Sequence, residues 1–207
     1  MSEAFKESVA PLNNWKDRLA LSRQLKKGFA APGGLFTRAC ALWLQGDRAA
    51  SLRHKLIGGH LLELGAGMYH YGYQIATLTS CERYTGVEPY YADVLSESIH
   101  TFSEGVIGGQ PRASVVASDM LSHLKTIPDN SCHVLACGIE NCILPDDDYK
   151  SRVEREIVRV LGADHLFLVS QSDLAVDLPL IFHSRIPSHV KKRGDLLRLY
   201  SKKELLL

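Results

Sequence analysis

The 207-residue chain has no C-x-x-C pair, no long apolar run and no excess of charge of either sign. Each absence excludes something. The five cysteines, Cys40, Cys81, Cys132, Cys137 and Cys142, are odd in number and widely spaced. Zinc sites show close ligand pairs and secreted disulfide frameworks show even counts, so these read as small buried apolar residues in a reducing compartment, and no metal site is expected. Residues 1–15 carry Glu3, Lys6 and Glu7 and no apolar core of signal-peptide length. The best apolar stretch, 39–44, is far too short to span a membrane. A cytoplasmic chain with no membrane partner is expected. With 24 basic against 23 acidic residues, nothing in the net charge favours tight non-specific nucleic-acid binding.

What is present suits one α/β domain. The chain is 45% hydrophobic and 23% charged, ordinary for a globular protein, and long enough for a real core but short for two. Residues 1–57 read as a helical segment that caps the rest. Leu12, Trp15, Leu19 and Leu21 fall on one helical face, Pro32-Gly33-Gly34 breaks the pattern, and further helices are predicted over 36–45 and 48–56. From 58 to 207 the texture changes. Short apolar runs at 60–64, 83–87, 114–117, 133–136 and 165–169 alternate with helix-like stretches at 73–79, 92–103, 120–125 and 147–161. Such alternation predicts βα units and a doubly wound, mostly parallel sheet with helices on both faces.

Chemistry concentrates at the ends of the first three runs. His60-Leu-Leu-Glu63-Leu-Gly65-Ala66-Gly67 carries a buried strand straight into a glycine pair, which lets backbone approach a ligand closely. The second run ends in Glu88-Pro89, 21 positions after Gly67, where a carboxylate can accept both hydroxyls of a ribose. The third ends at Asp119-Met120, with Asp119 also suited to cap the following helix. Ligands of doubly wound sheets bind beyond the carboxyl ends of the strands, so these groups share one edge.

This ordered set, with Gly86-Val87-Glu88 and Ser118-Asp119-Met120, resembles the motifs of class I S-adenosyl-L-methionine-dependent methyltransferases over about residues 60–172. The resemblance implies that Gly65, Ala66 and Gly67 line the methionine part of the cofactor, with Glu63 helping to hold its amino group through the loop. It implies that Glu88 binds the ribose hydroxyls, Pro89 flanks the adenine, Asp119 meets its amino group and Met120 sits beside the ring. Gly138, at the end of the fourth strand, would lie beneath the sulfonium, with Glu140 and Asn141 near the acceptor. Direct displacement onto a small-molecule acceptor is the activity implied, with a protein or RNA acceptor second, and no catalytic acid or base is assigned.

Other features read as structural. Tyr69, His70, Tyr71 and Tyr73 suit packing at a helix start, Asp146-Asp147-Asp148 suits a helix N-terminus, and Lys191-Lys192-Arg193 suits a solvated loop. One departure from the family pattern stands out. Residues 196–207 look like the approach to a helix, with Ser201 as cap and Glu204 three positions on. The C-terminal hairpin of the family therefore reads as incomplete. Either the chain stops short, or a partner or second copy, such as a homodimer, covers that edge. A methyltransferase fold used as a binding or regulatory module is the alternative. A nicotinamide-dependent oxidoreductase is disfavoured because His70 stands where the dinucleotide fingerprint needs glycine or alanine.

Overall fold

The structure, a computed structural model, describes residues 35–106, 108–139, 144–186 and 195–203. The helix expected through Leu12, Trp15, Leu19 and Leu21 lies outside them, as do Glu140, Asn141, Cys142 and the Lys191–Arg193 cluster. In chain order the elements are α1 (Leu35–Gln45), a 3₁₀ turn (Asp47–Ala49), α2 (Ala50–Lys55), β1 (His60–Leu64), α3 (Tyr71–Leu78), β2 (Arg83–Val87), α4 (Ala92–Glu104), β3 (Arg112–Val116), α5 (Met120–Leu124), β4 (His133–Cys137), α6 (Asp147–Val160), β5 (Phe167–Ser170), β6 (Leu180–Ile186) and β7 (Asp195–Tyr200).

The strands form one seven-stranded sheet in the order β3-β2-β1-β4-β5-β7-β6. β1 to β5 run parallel, and β7 and β6 close the sheet antiparallel. β1, β4 and β5 are buried along their whole length, which is why they read as unbroken apolar runs. β3 is one of the two edge strands, with β6 the other, and begins exposed. One core packs α1 to α4 against Leu61, Tyr84, Leu135 and Leu168; the other packs α5 and α6 against Leu62, Val87, Val134 and Phe167. Alternate residues of each strand thus serve opposite faces. α6 follows the same logic, burying Val153, Ile157 and Val160 on one stripe. No helix among the described residues is long and apolar enough to cross a membrane.

The C-terminal expectation is corrected. Residues 195–200 are a strand, not the approach to a helix, and the hairpin is complete. β7 inserts between β5 and β6, pairing Leu199 with Leu168 and Leu197 with Ser170. Leu197 and Leu199 are fully buried in the first core, while Tyr200 packs against the second. A short leucine-rich run fits helix and buried strand equally well, and only its pairing partners decide. Ser201 is buried, its amide donates to the Pro179 carbonyl at 3.2 Å and its Oγ accepts the Lys203 amide at 3.2 Å; the helix it was expected to cap, with Glu204, lies outside the described residues. Within the described hairpin Leu180 and Leu196 stay exposed, and residues 204–207 lie outside the described residues.

Candidate functional site

At the carboxyl edge of β1 the chain turns through Gly65 and Gly67, at φ +63° and +73°. These are left-handed conformations that a side chain disfavours, so the glycines are required by the backbone. Two contacts tie the turn to β2: the Ala66 amide donates to the Val87 carbonyl at 3.1 Å, and the Gly67 amide donates to Glu88 Oε2 at 2.8 Å. The other Glu88 oxygen accepts the Tyr90 amide at 2.9 Å. Glu88 is only 5% exposed, so β2 ends in a carboxylate oriented by backbone rather than loose in solvent. Pro89 follows it on the exposed side.

β3 delivers the next group. Asp119 caps α5, accepting the Ser122 amide at 3.0 Å. It also accepts a hydrogen bond from the Tyr149 hydroxyl at 3.1 Å, and the same hydroxyl accepts the Leu121 amide at 3.3 Å. Partial burial works to raise the Asp119 pKa, but the hydrogen bonds from Ser122, Tyr149 and Leu121 outweigh it and hold the carboxyl below its ordinary value. Met120 packs against the second core. Tyr90 lies within electrostatic reach of Glu88, Tyr149 and Asp119; burial first, then these neighbours, raises its pKa. Burial likewise raises that of Tyr149.

Glu63, expected to act through the loop, lies buried at the end of β1. It is 1% exposed, with Thr37 donating to Oε1 at 3.1 Å and Tyr84 donating to Oε2 at 2.5 Å. Gly72, at the start of α3, lies so close that a Cβ there would come within 1.8 Å of Oε2. Burial pushes the Glu63 pKa up to about 7 against the opposing pull of those two hydrogen bonds, with Glu88 raising it further. The carboxyl therefore anchors α1, β2 and α3 beneath the glycine turn. At the neighbouring strand end, Gly138 has φ +75° and a Cβ there would meet the Phe36 ring at 2.8 Å; Ile139 approaches Gly65.

His70 is held in a structural role. Its ring stacks on Phe102 at 4.3 Å between centroids, and Nδ1 pairs with Ser98 Oγ at 3.0 Å. Burial lowers its pKa. Asp146 caps α6, accepting the Tyr149 amide at 2.7 Å, which accounts for one acid of that run. Cys40, Cys81, Cys132 and Cys137 are buried free thiols.

The structure thus gathers Gly65, Ala66, Gly67, Glu88, Asp119 and Gly138 at strand ends on one edge, with Pro89 and Met120 beside them. Sequence reasoning missed Thr37, Tyr84, Tyr90 and Tyr149. No protein-family model and no curated protein sequence matches the chain. Solved structures do. The chain is similar to a TehB-like SAM-dependent methyltransferase from Corynebacterium glutamicum, at 15% identity over 91% of this chain and 97% of that one, with a TM-score of 0.52. The fold is the Rossmann-like methyltransferase fold. It is similar too to precorrin-6y C5,15-methyltransferase from Geobacter metallireducens, at 12% identity over 75% of this chain and 88% of that one, with a TM-score of 0.50. Within this methyltransferase fold, β1 and β4 are the adjacent strands where the connections diverge to opposite sides of the sheet, the place where α/β folds open a crevice for ligands.

Proposed function

We propose that this chain binds S-adenosylmethionine along the carboxyl edge of β1, β2 and β3 and transfers its methyl group to a small-molecule acceptor. One observation carries the reading: Glu88, oriented by the Gly67 and Tyr90 amides. An oriented carboxylate at the end of β2 is an acceptor suited to vicinal hydroxyls, and its link to Gly67 makes the ribose receptor and the glycine turn one unit. The names of the structurally similar proteins support it.

The remaining roles follow along the edge. Gly65, Ala66 and Gly67 present bare backbone to the methionine part, while Glu63 holds the turn from below. Asp119 receives the adenine amino group, kept ionised and in place by Tyr149, with Pro89 and Met120 beside the ring and Gly138 on the methyl side. The cofactor supplies a methyl group on a sulfonium, which an acceptor atom displaces in line. The chain contributes by holding the two reactants together, which needs no acid–base pair. A small, near-neutral acceptor fits the balance of 24 basic and 23 acidic residues.

Calorimetric titration with S-adenosylmethionine, S-adenosylhomocysteine and NADH, on the wild type and Glu88→Ala, tests the reading. Binding of both sulfur nucleosides, weakened in the variant, is the expected result. Binding of NADH instead would replace the methyltransferase with an oxidoreductase. Failure of all three to bind would remove the cofactor site altogether.

A further inference from the structure

One cation at this edge has no anion among the described residues. Arg38, on α1, follows Thr37, the residue that donates to Glu63. Its guanidinium carbon lies 5.9 Å from the centre of the Tyr71 ring. Tyr71 opens α3 directly before Gly72, whose backbone lies against the Glu63 carboxyl. Arg38 therefore stands where the stretch that begins with the glycine turn becomes α3, on the β1 side of the site.

Its surroundings differ from those of comparable arginines. Among the described residues the other half-buried arginines all have oxygen partners. Arg53 donates to the Leu44 and Gly46 carbonyls, Arg152 pairs with Asp148, Arg159 with Asp129 and Glu156, and Arg198 donates to the Ser172 carbonyl. Arg38 is half-buried as well, yet among the described residues it has no hydrogen bond or ion pair, and its one ring contact is the Tyr71 face. Partial burial costs a guanidinium part of its hydration, and a ring face supplies no hydrogen-bond acceptor in the plane of its N–H fork. The group this fork matches is a carboxylate, bound in two parallel hydrogen bonds.

We propose that Arg38 binds the carboxylate at the amino-acid end of the methyl donor. The proposal rests on the cofactor reading above. With the adenosine over Glu88 and Asp119 and the chain of the donor over the Gly65–Gly67 turn, the amino-acid end reaches the side of the site that α1 and the start of α3 enclose. That end carries one carboxylate, and Arg38 is the described cation standing there. An acceptor with an anionic group offers the same chemistry, and the test separates the two sources.

The experiment compares two ligands on the wild type, Arg38→Met and Arg38→Lys. S-adenosylhomocysteine has the amino-acid end; 5′-methylthioadenosine has the same nucleoside and thioether sulfur without it. Methionine keeps an unbranched stem over Tyr71. Arg38→Met should weaken S-adenosylhomocysteine by roughly tenfold or more, the loss expected for a charge-assisted bidentate contact. It should leave 5′-methylthioadenosine unchanged, and Arg38→Lys should restore part of the loss. Unchanged S-adenosylhomocysteine affinity in Arg38→Met overturns the proposal and leaves the residue to an anionic acceptor. Equal loss for both ligands also overturns it, because Arg38 would then act through the shape of the site. Failure of the wild type to bind either nucleoside is a different result, and overturns the cofactor reading itself.

Discussion

The carboxylate of Glu88 accepts the Gly67 amide at 2.8 Å, across 21 positions of chain. That single contact ties the end of β2 to the turn after β1, so the residue that receives a ligand also shapes the loop that cradles it.

Glu88→Ala should therefore lose two things at once. Removing the acceptor of the Gly67 and Tyr90 amides costs about 1.5–3 kcal/mol of stability, the range for a hydrogen bond to a charged group. Affinity for S-adenosylhomocysteine should fall roughly tenfold or more, since about 1.4 kcal/mol corresponds to that factor. Glu88→Gln is not conservative here. Both carboxylate oxygens accept backbone N–H groups, so the new amide nitrogen must face one of the two donors. It should melt between the wild type and the alanine variant. Calorimetric melting with titration reads both effects, and an alanine variant that melts and binds like the wild type would refute the coupling.

Tyr149→Phe tests the other receptor. The hydroxyl donates to Asp119 and accepts the Leu121 amide, so its loss should cost about 1 kcal/mol in denaturant unfolding. Asp119 would keep the burial that raises its pKa and lose one of the hydrogen bonds that lowers it. Its carboxyl should then titrate at higher pH than in the wild type when followed by carbon-detected NMR. A pKa that stays put would show that Tyr149 does not position Asp119.

The contrast between these residues explains what could be read from sequence. β1 and β2 fall where the apolar runs begin and end, because central parallel strands are buried on both faces and show no other pattern. Gly65, Gly67, Glu88 and Asp119 were legible because each punctuates the end of its own strand. Tyr149, Tyr84 and Thr37 reach their carboxylates across 30, 21 and 26 positions, from the first turn of α6, the start of β2 and the first turn of α1. No motif marks them, and only the packed topology brings them in. The hairpin was missed for the same reason. β7 lies between β5 and β6, an order no local pattern encodes.

Acid should destabilise the fold through two histidines below the sheet edge opposite the site. Burial first, then neighbouring positive groups, holds His60 at about 4 and His133 at about 3, against an ordinary 6.5. Below pH 6.5 the unfolded chain takes up protons that the folded chain refuses. Their contribution to stability is thus whole above 6.5 and is lost as pH falls toward 4 and then 3. Glu63 works in the other direction: held at about 7 against 4.5, its contribution is whole below 4.5 and lost as pH rises through 7. His60→Gln puts an amide nitrogen where Nε2 meets Thr85, and His133→Asn an oxygen where Nδ1 accepts the Leu166 amide. Both variants should flatten the fall in melting temperature on the acid side. Glu63→Gln should gain on the wild type as pH rises from about 4.5 to about 8. Parallel pH profiles of all four proteins would refute the assignments.

Gly72→Ala should reverse an ordinary rule. In an open helix the change stabilises by about 1 kcal/mol, because alanine has the better helix propensity. At Gly72 the added Cβ would lie 1.8 Å from Glu63 Oε2 and 2.5 Å from its carboxyl carbon. The carboxyl cannot swing aside cheaply, since Thr37 and Tyr84 hold its two oxygens. The overlap must instead push α3 off β1, at roughly the 1–3 kcal/mol typical of an overpacked core. Shortening the partner should undo this: in Glu63→Ala the space under Gly72 opens, and adding Gly72→Ala to it should cost little or nothing. A double-mutant cycle by urea unfolding measures that coupling directly. Additive effects would mean that the Glu63 carboxyl does not sit under α3. The glycine turn would then rest on some other support, and the buried Glu63 anchor beneath the proposed cofactor site would have to be given up.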